Sequence, residues 1–560
     1  MSSFEMNFAN KVLVFYLGIC KWLGGNLFII MMIFHPIILS SQAEYISVDT
    51  IKNKYQNPIL HLDYSDPDVI RVGEKYYMTA SSFSHFPGLP ILESQDLVNW
   101  TIIGHAALEY PDKTFVLPQH GNAIWAPSIR HHKGEFYIYY GDPDRGVYMT
   151  KASKPEGPWS PLKLIKKVTG WIDTCPLWDE DGKAYIVHAY ANSRVGIKSI
   201  LAINEMSPNG EEILGTSTLV FNGQKDHNTI EGPKLYKRNG YYYIFAPAGG
   251  VATGWQTVLR SKNIYGPYED NVVLEQGSTV INGPHQGGWV TAPDGSDWFL
   301  HFQDKGAYGR IVHLQPMSWK DDWPVMGIDF DKNGIGEPVS SYNFTHNESA
   351  KTTILPQTSD EFNNSELGLQ WQWQANPNKT WYTLNPNKGN IRLHGVGVKK
   401  EPNLWMTPNL LMQKFPAENF IAQSKINLST IKVNSTLGLI VFGLDYAYVG
   451  IQKNNTGKYE IKVNQCLNAD KGTKEEGKSS IIIVKSSEIH LGVKVESSYA
   501  NGAQVPSAIC QFMYSLDGQK YIEIGEKFIA REGKWVGAKT GLFYEAPLNT
   551  YADVDWFRVK

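Results

Sequence analysis

Residues 71–80 read RVGEKYYMTA: a glycine in a turn, then a short aromatic and apolar run. The same pattern returns at 132–141 (HKGEFYIYYG), 180–189 (EDGKAYIVHA), 238–247 (RNGYYYIFAP) and 293–302 (PDGSDWFLHF). Each time an aromatic residue follows the glycine by three positions: Gly73-Tyr76, Gly134-Tyr137, Gly182-Tyr185, Gly240-Tyr243 and Gly295-Trp298. This is one β-hairpin written five times. The repeat length, between that of Gly134 to Gly182 and that of Gly73 to Gly134, suits a four-stranded propeller blade with its loops. Helical periodicity is scarce after residue 50, so the fold class is all-β, and a five-bladed β-propeller is the reading. A β-sandwich with repeated hairpins is the competing one.

The repeat also has a phase. Pro67, Pro127, Pro176 and Pro233 each lie six or seven residues before the turn glycine. Beside them stand Asp66, Trp125-Ala126, Asp173 and Glu231, and the fifth repeat offers His285. Innermost strands of a propeller line one central channel. Equivalent positions in successive blades therefore converge, and three carboxylates meet in one cavity. Paired carboxyl groups serve glycoside hydrolysis, one as acid and one as base or nucleophile. A third carboxylate raises the pKa of the acid, because like charges resist joint ionisation. A calcium ion could use the same oxygen ligands, but no DxDxDG-type loop supplies them.

Composition narrows the partners. The chain has 560 residues, too many for a single core. It carries 17 Trp, 30 Tyr and 23 Phe, which suits both strands and the apolar faces of sugar rings. The formal charge is −3 with no basic tract, which argues against nucleic acid. Lys11 and Lys21, the apolar run LFIIMMIFHPIILSSQA at 27–43 and its small-residue end describe a signal peptide over 1–43, and so an exported, periplasmic or extracellular protein. A membrane anchor is the alternative. No CxxC pair supports a zinc site. Cys466 and Cys510 either bridge or remain thiols, and Cys175 reads as a small buried residue.

At the level of whole motifs the chain resembles family 43 of the glycoside hydrolases, in its β-xylosidase and α-L-arabinofuranosidase branch. The resemblance rests on YSDPDVIRVGEKYYMTASSFSHFPGLPILESQDLVNW (64–100), IWAPSIRHHKGEFYIYYGD (124–142), WIDTCPLWDEDGKAYIVHAY (171–190), IEGPKLYKRNGYYYIFAPAGG (230–250) and GRIVHLQPMSW (309–319), in that order. It implies a five-bladed propeller over 55–345 and an inverting mechanism. Asp66 is then the general base, Glu231 the general acid, and Asp173 the residue that tunes and orients the acid. Among substrate-binding residues it implies His285 beneath the sugar, able to hold a water or a metal ion, and Arg310 against sugar hydroxyls and the acidic cluster. Phe86 and Trp125 would form the apolar wall, or else pack in the core. Asp63 and Asp68 read as turn or structural residues.

Residues 346–359 read as a linker, and 360–560 is again strand-like. The end, TGLFYEAPLNTYADVDWFRVK (540–560), resembles the last strand of the lectin-like, concanavalin-type jelly-roll sandwich attached to this branch. The expected activity is exo-hydrolysis of xylo- or arabino-oligosaccharides from hemicellulose, most simply as a β-xylosidase, with α-L-arabinofuranosidase as the alternative. A fructosidase is disfavoured, because Ser65-Asp66-Pro67-Asp68-Val69 and Glu231-Gly232 replace that family's Asn-Asp-Pro-Asn-Gly and Glu-Cys motifs. A non-catalytic sugar-binding protein is disfavoured because all three acidic positions are filled. No cofactor is required by this chemistry, a structural or active-site Ca2+ is compatible with it, and the oligomeric state is not encoded legibly.

Overall fold

A computed structural model describes residues 54–343, 354–397 and 402–560. The signal-peptide reading falls outside them, as does most of the linker. Five antiparallel four-stranded sheets come first, each a simple meander. Their opening strands are Asp68–Val72, Trp125–His132, Trp171–Trp178, Lys234–Arg238 and His285–Thr291. These strands pack against one another around a common axis, so each sheet is a blade of a five-bladed propeller. The segment before blade one is stapled to the last blade: Leu60 bridges Val312, and the Tyr55 hydroxyl and Asn57 amide donate to the Leu314 carbonyl.

The five repeated glycines are left-handed, with φ between +63° at Gly73 and +85° at Gly182 and Gly295. A Cβ placed on any of them would meet nothing within 4 Å. Conformation, not space, selects glycine there. In blades two and four the turn is a two-residue connection, His132 opposite Glu135 and Arg238 opposite Tyr241. Lys133 (φ 49°) and Asn239 (φ 50°) precede the glycines, so both central residues have positive φ, as a type I′ hairpin requires.

Two eight-stranded antiparallel sheets follow and face each other as a β-sandwich. Trp371, Trp373, Leu439, Val449, Phe512 and Phe557 lie in the core between them. The closing strand Tyr551–Val559 pairs with both Asn390–His394 and Phe420–Asn427, which locks the chain end into the middle of its sheet. Cys466 and Cys510 are buried thiols on strands of different sheets, so they do not bridge.

Propeller and sandwich are joined by backbone as well as side chains. Phe86 and Trp373 exchange both backbone hydrogen bonds, at 3.1 and 2.7 Å, and Asn376 does the same for Tyr110 through its side-chain amide. Asp63 is structural and does not sit in a turn. Its two carboxylate oxygens accept from the Arg310 and Gly537 backbone amides, both at 2.9 Å, and so tie blade five to a sandwich loop.

Candidate active site

The inner strands are broken where they reach the channel mouth. Register shifts fall between Trp125 and Ser128, between Ile172 and Cys175, and between His285 and Gly287. Asp66 (φ 53°), Ala126 (φ 35°), Asp173 (φ 59°) and Gly232 (φ 60°) all adopt left-handed backbone at this level. Bulges re-aim side chains, and non-glycine residues with positive φ hold local strain that the surrounding structure must stabilise. The shared phase seen in the sequence is thus a shared kink, and it turns the side chains inward to one site.

Asp66 is 6% exposed and fully engaged. Its Oδ2 accepts from Ser65 Oγ at 2.9 Å and Ser81 Oγ at 2.6 Å, while Arg310 Nη1 lies 3.2 Å from Oδ1. Ser81 Oγ in turn accepts from the Ala126 amide at 2.7 Å, so blade two helps set the orientation of a blade-one carboxylate. Asp173 Oδ2 accepts from the Gly232 amide at 2.8 Å, which holds it beside the neighbour of Glu231. Glu231 donates its own amide to the Pro247 carbonyl.

Burial pushes the Glu231 carboxyl well above the usual range, and the charges of Asp173 and Asp66 push it further. Asp173 is also raised, chiefly by burial, but the Gly232 amide and the Lys234 and Arg310 cations pull it back. Of this coupled pair, Glu231 is therefore the better holder of a proton near neutrality. Asp173 is the better carboxylate.

Arg310 also donates to Ser65 Oγ at 2.7 Å, and its guanidinium lies 5.0 Å over the Phe302 ring. His285 is 1% exposed, and neither ring nitrogen has a protein partner among the described residues. Burial, then the Arg310 charge, holds the imidazole neutral, its pKa lowered to about 3. Its nitrogens are left for a water or a ligand atom. Among the described residues no group of three or more His, Cys, Asp or Glu is placed to hold a metal ion.

Of the two readings open for Phe86 and Trp125, wall or core, the structure gives Phe86 the second. Phe86 has no exposed surface; its ring packs with Tyr110 and Phe115, and its backbone is paired to Trp373. It belongs to the domain seam and not to a sugar subsite. Phe83, three residues earlier, is the ring that meets Trp125, edge-on at 6.3 Å. Trp125 is steadied by a 2.8 Å bond from Nε1 to the Gly121 carbonyl, and Arg194 lies 5.7 Å over its ring. On its other side stands Trp535 of the sandwich, edge-on at 6.1 Å and 47% exposed. The contact spans two domains, so no local pattern in the sequence points to it. Trp535→Ala is expected to raise KM for oligosaccharides several-fold with little change in kcat, because it removes a wall and no reacting group; steady-state kinetics on di- and trisaccharides measure this.

Asp68 is also structural, but as the hub of the channel beneath the site. Its Oδ2 accepts from the Ile129 amide at 2.9 Å and from Arg130 Nη1 at 2.6 Å, and buried Lys234 bonds Ser128 Oγ and the Pro127 carbonyl beside it. Cys175 accepts from Arg130 Nη2 and the Leu235 amide, which accounts for its burial without a reactive role.

Comparison with known proteins identifies the family. Residues 55–324 match the model of glycosyl hydrolases family 43, and residues 359–560 match that of the beta xylosidase C-terminal concanavalin A-like domain. A Xylanibacter ruminicola protein, provisionally named a beta-xylosidase, is 41% identical over 507 residues, covering 89% of each chain. A beta-xylosidase of Formosa agariphila is 32% identical over 554 residues, covering 90% of each. A non-reducing end alpha-L-arabinofuranosidase of Bacteroides ovatus is 29% identical over 415 residues, covering 70% of this chain and 75% of that one. Among solved structures, a bifunctional GH43-CE protein of Bacteroides eggerthii superposes with a TM-score of 0.77 at 26% identity, over 91% of this chain and 64% of that one. BlXynB, a GH43 protein of Bacillus licheniformis, gives 0.75 at 25%, over 90% and 99%. The chain is a glycoside hydrolase and belongs to family 43, as a five-bladed propeller carrying a concanavalin-type sandwich.

Proposed function

We propose that this protein is an inverting, exo-acting β-xylosidase in which Asp66 is the general base, Glu231 the general acid and Asp173 the residue that keeps the acid protonated and aligned. The observation that carries the assignment is the asymmetry of the three carboxyls. Asp66 is held by two serines and an arginine, whereas desolvation and the charges of Asp173 and Asp66 push the Glu231 carboxyl up, which favours its protonated form. In the reaction a water attacks the anomeric carbon and gives its proton to Asp66. Glu231 protonates the departing glycosidic oxygen as that bond breaks. Asp66 ends protonated and Glu231 ionised, and both exchange with solvent before the next turnover. Arg310 is suited to orient Asp66 and sugar hydroxyls, and His285 to bind a water or hydroxyl below the ring. Trp125, Phe83 and Trp535 would close the apolar side, and a wall supplied by the sandwich favours an end-on pocket over an open cleft.

The xylose reading is supported by the names of the relatives that match nearly the whole chain. The arabinofuranosidase relative keeps α-L-arabinofuranose as the second reading. Paired aryl β-xyloside and aryl α-L-arabinofuranoside substrates separate them: the expected result is a kcat/KM at least tenfold higher on the xyloside, and the reverse ratio overturns the xylosidase assignment. Proton NMR of the first-formed sugar should show the α-anomer from a β-xyloside; a β-anomer would mean retention. Export follows from the 1–43 pattern as part of the same proposal.

A further inference from the structure

The seam between propeller and sandwich buries two lysines that have no acidic ion-pair partner among the described residues. Lys414 and Lys539 sit directly opposite each other on adjacent strands of one sandwich sheet, and both are buried, at 9% and 3% exposure. Side chains opposite each other in an antiparallel pair lie on the same face, and like charges there repel. Lys539 Nζ donates to Gln372 Oε1 at 2.8 Å. Lys414 Nζ has only the Tyr64 ring, 5.1 Å away. Among the described residues no carboxylate forms an ion pair with either lysine. The nearby acid is Asp63, whose two oxygens are already taken by the Arg310 and Gly537 amides. The other titratable groups around the lysines are Tyr64, His85 and His105, which bring no negative charge.

Beside Lys414 runs a crevice that crosses the seam. Tyr64 and His105 line it from the propeller, Gln370, Gln372, Gln413 and Lys414 from the sandwich, and it has room for a guest about the size of a water molecule. Gln372 links it to Lys539. A buried ammonium requires a counter-charge or must give up its proton. We propose that this crevice binds one small monovalent anion, a halide such as chloride, which neutralises the Lys414–Lys539 pair and clamps the sandwich to the propeller.

The test is thermal unfolding of the full chain at constant ionic strength, with sodium gluconate replaced stepwise by chloride or bromide. The expected result is a saturable rise in Tm of about 2–4 °C on replacing gluconate by halide. Lys414→Met should abolish the halide response. Crystals grown in bromide should show anomalous signal in the crevice within hydrogen-bond reach of Lys414 Nζ, which decides the matter even if the variant folds poorly. Equal Tm in gluconate and chloride, an undiminished halide response in Lys414→Met, or a water without bromide signal at this position each overturns the proposal.

Discussion

Glu231→Gln is expected to lower kcat/KM on unactivated xylo-oligosaccharides by about 10²–10⁴-fold, the usual contribution of a general acid. KM should change little, because the amide keeps the shape of the carboxyl. An aryl xyloside with an acidic phenol as leaving group should lose far less activity, since that oxygen departs without a proton. The pH profile gives a second readout. In the parent, activity falls as pH rises through the raised pKa of Glu231, because the ionised form has no proton to give; in the variant this alkaline limb disappears. Stability moves with a definite sign. A group whose pKa is higher in the folded state is stabilising in its neutral form and loses that contribution as pH rises through the folded value. Glu231 is such a group, by burial beside Asp173 and Asp66. Gln is neutral at every pH, so the variant should melt higher than the parent on the alkaline side and show no such gain in acid. An equal loss of activity on both leaving groups would remove Glu231 from the acid role.

What made the site legible was backbone conformation leaking into residue choice. Five turn glycines mark hairpins because their φ is positive. The acidic positions kept one phase because Asp66, Ala126, Asp173 and Gly232 bend the chain at one level of the channel. Burial of charge was not legible: Asp68 reads in the sequence as a turn or structural residue, and nothing in its strand shows that Arg130 and Lys234 arrive from other blades. Which phenylalanine packs beside Trp125 was not legible. In the stretch SSFSHFP two phenylalanines stand three apart, and either could face a sugar. The choice is made by pairing: Phe83 bridges Ile124 next to Trp125, whereas Phe86 bridges Trp373 of the other domain. Trp535 and the second bond of Asp63 fail for the same reason. Both depend on a docking geometry between domains that no periodicity within either domain encodes.

That docking bears on how the base should be tested, because Arg310, which holds Asp66, is itself held by Asp63 at the seam. Asp66→Asn is the informative substitution. Asn tolerates the left-handed backbone that Asp66 adopts (φ 53°), whereas Ala there would add strain to the loss of the group. The amide oxygen can still accept from Ser65 and Ser81, so the loop should stay in place and only the charge and the basicity are lost. The expected loss in kcat is about 10²–10⁴-fold. Unlike the acid variant, it should be nearly the same on oligosaccharides and on aryl xylosides, because water must be activated whatever the leaving group. The residual activity carries a second signature. The Asp66 charge is one of the influences that raise both Glu231 and Asp173. Its removal lets Glu231 ionise sooner, so the alkaline limb of the residual profile should move to lower pH. A uniform loss with an unmoved limb would mean that Asp66 is electrostatically remote from Glu231. Full retention of activity would transfer the base role to another group.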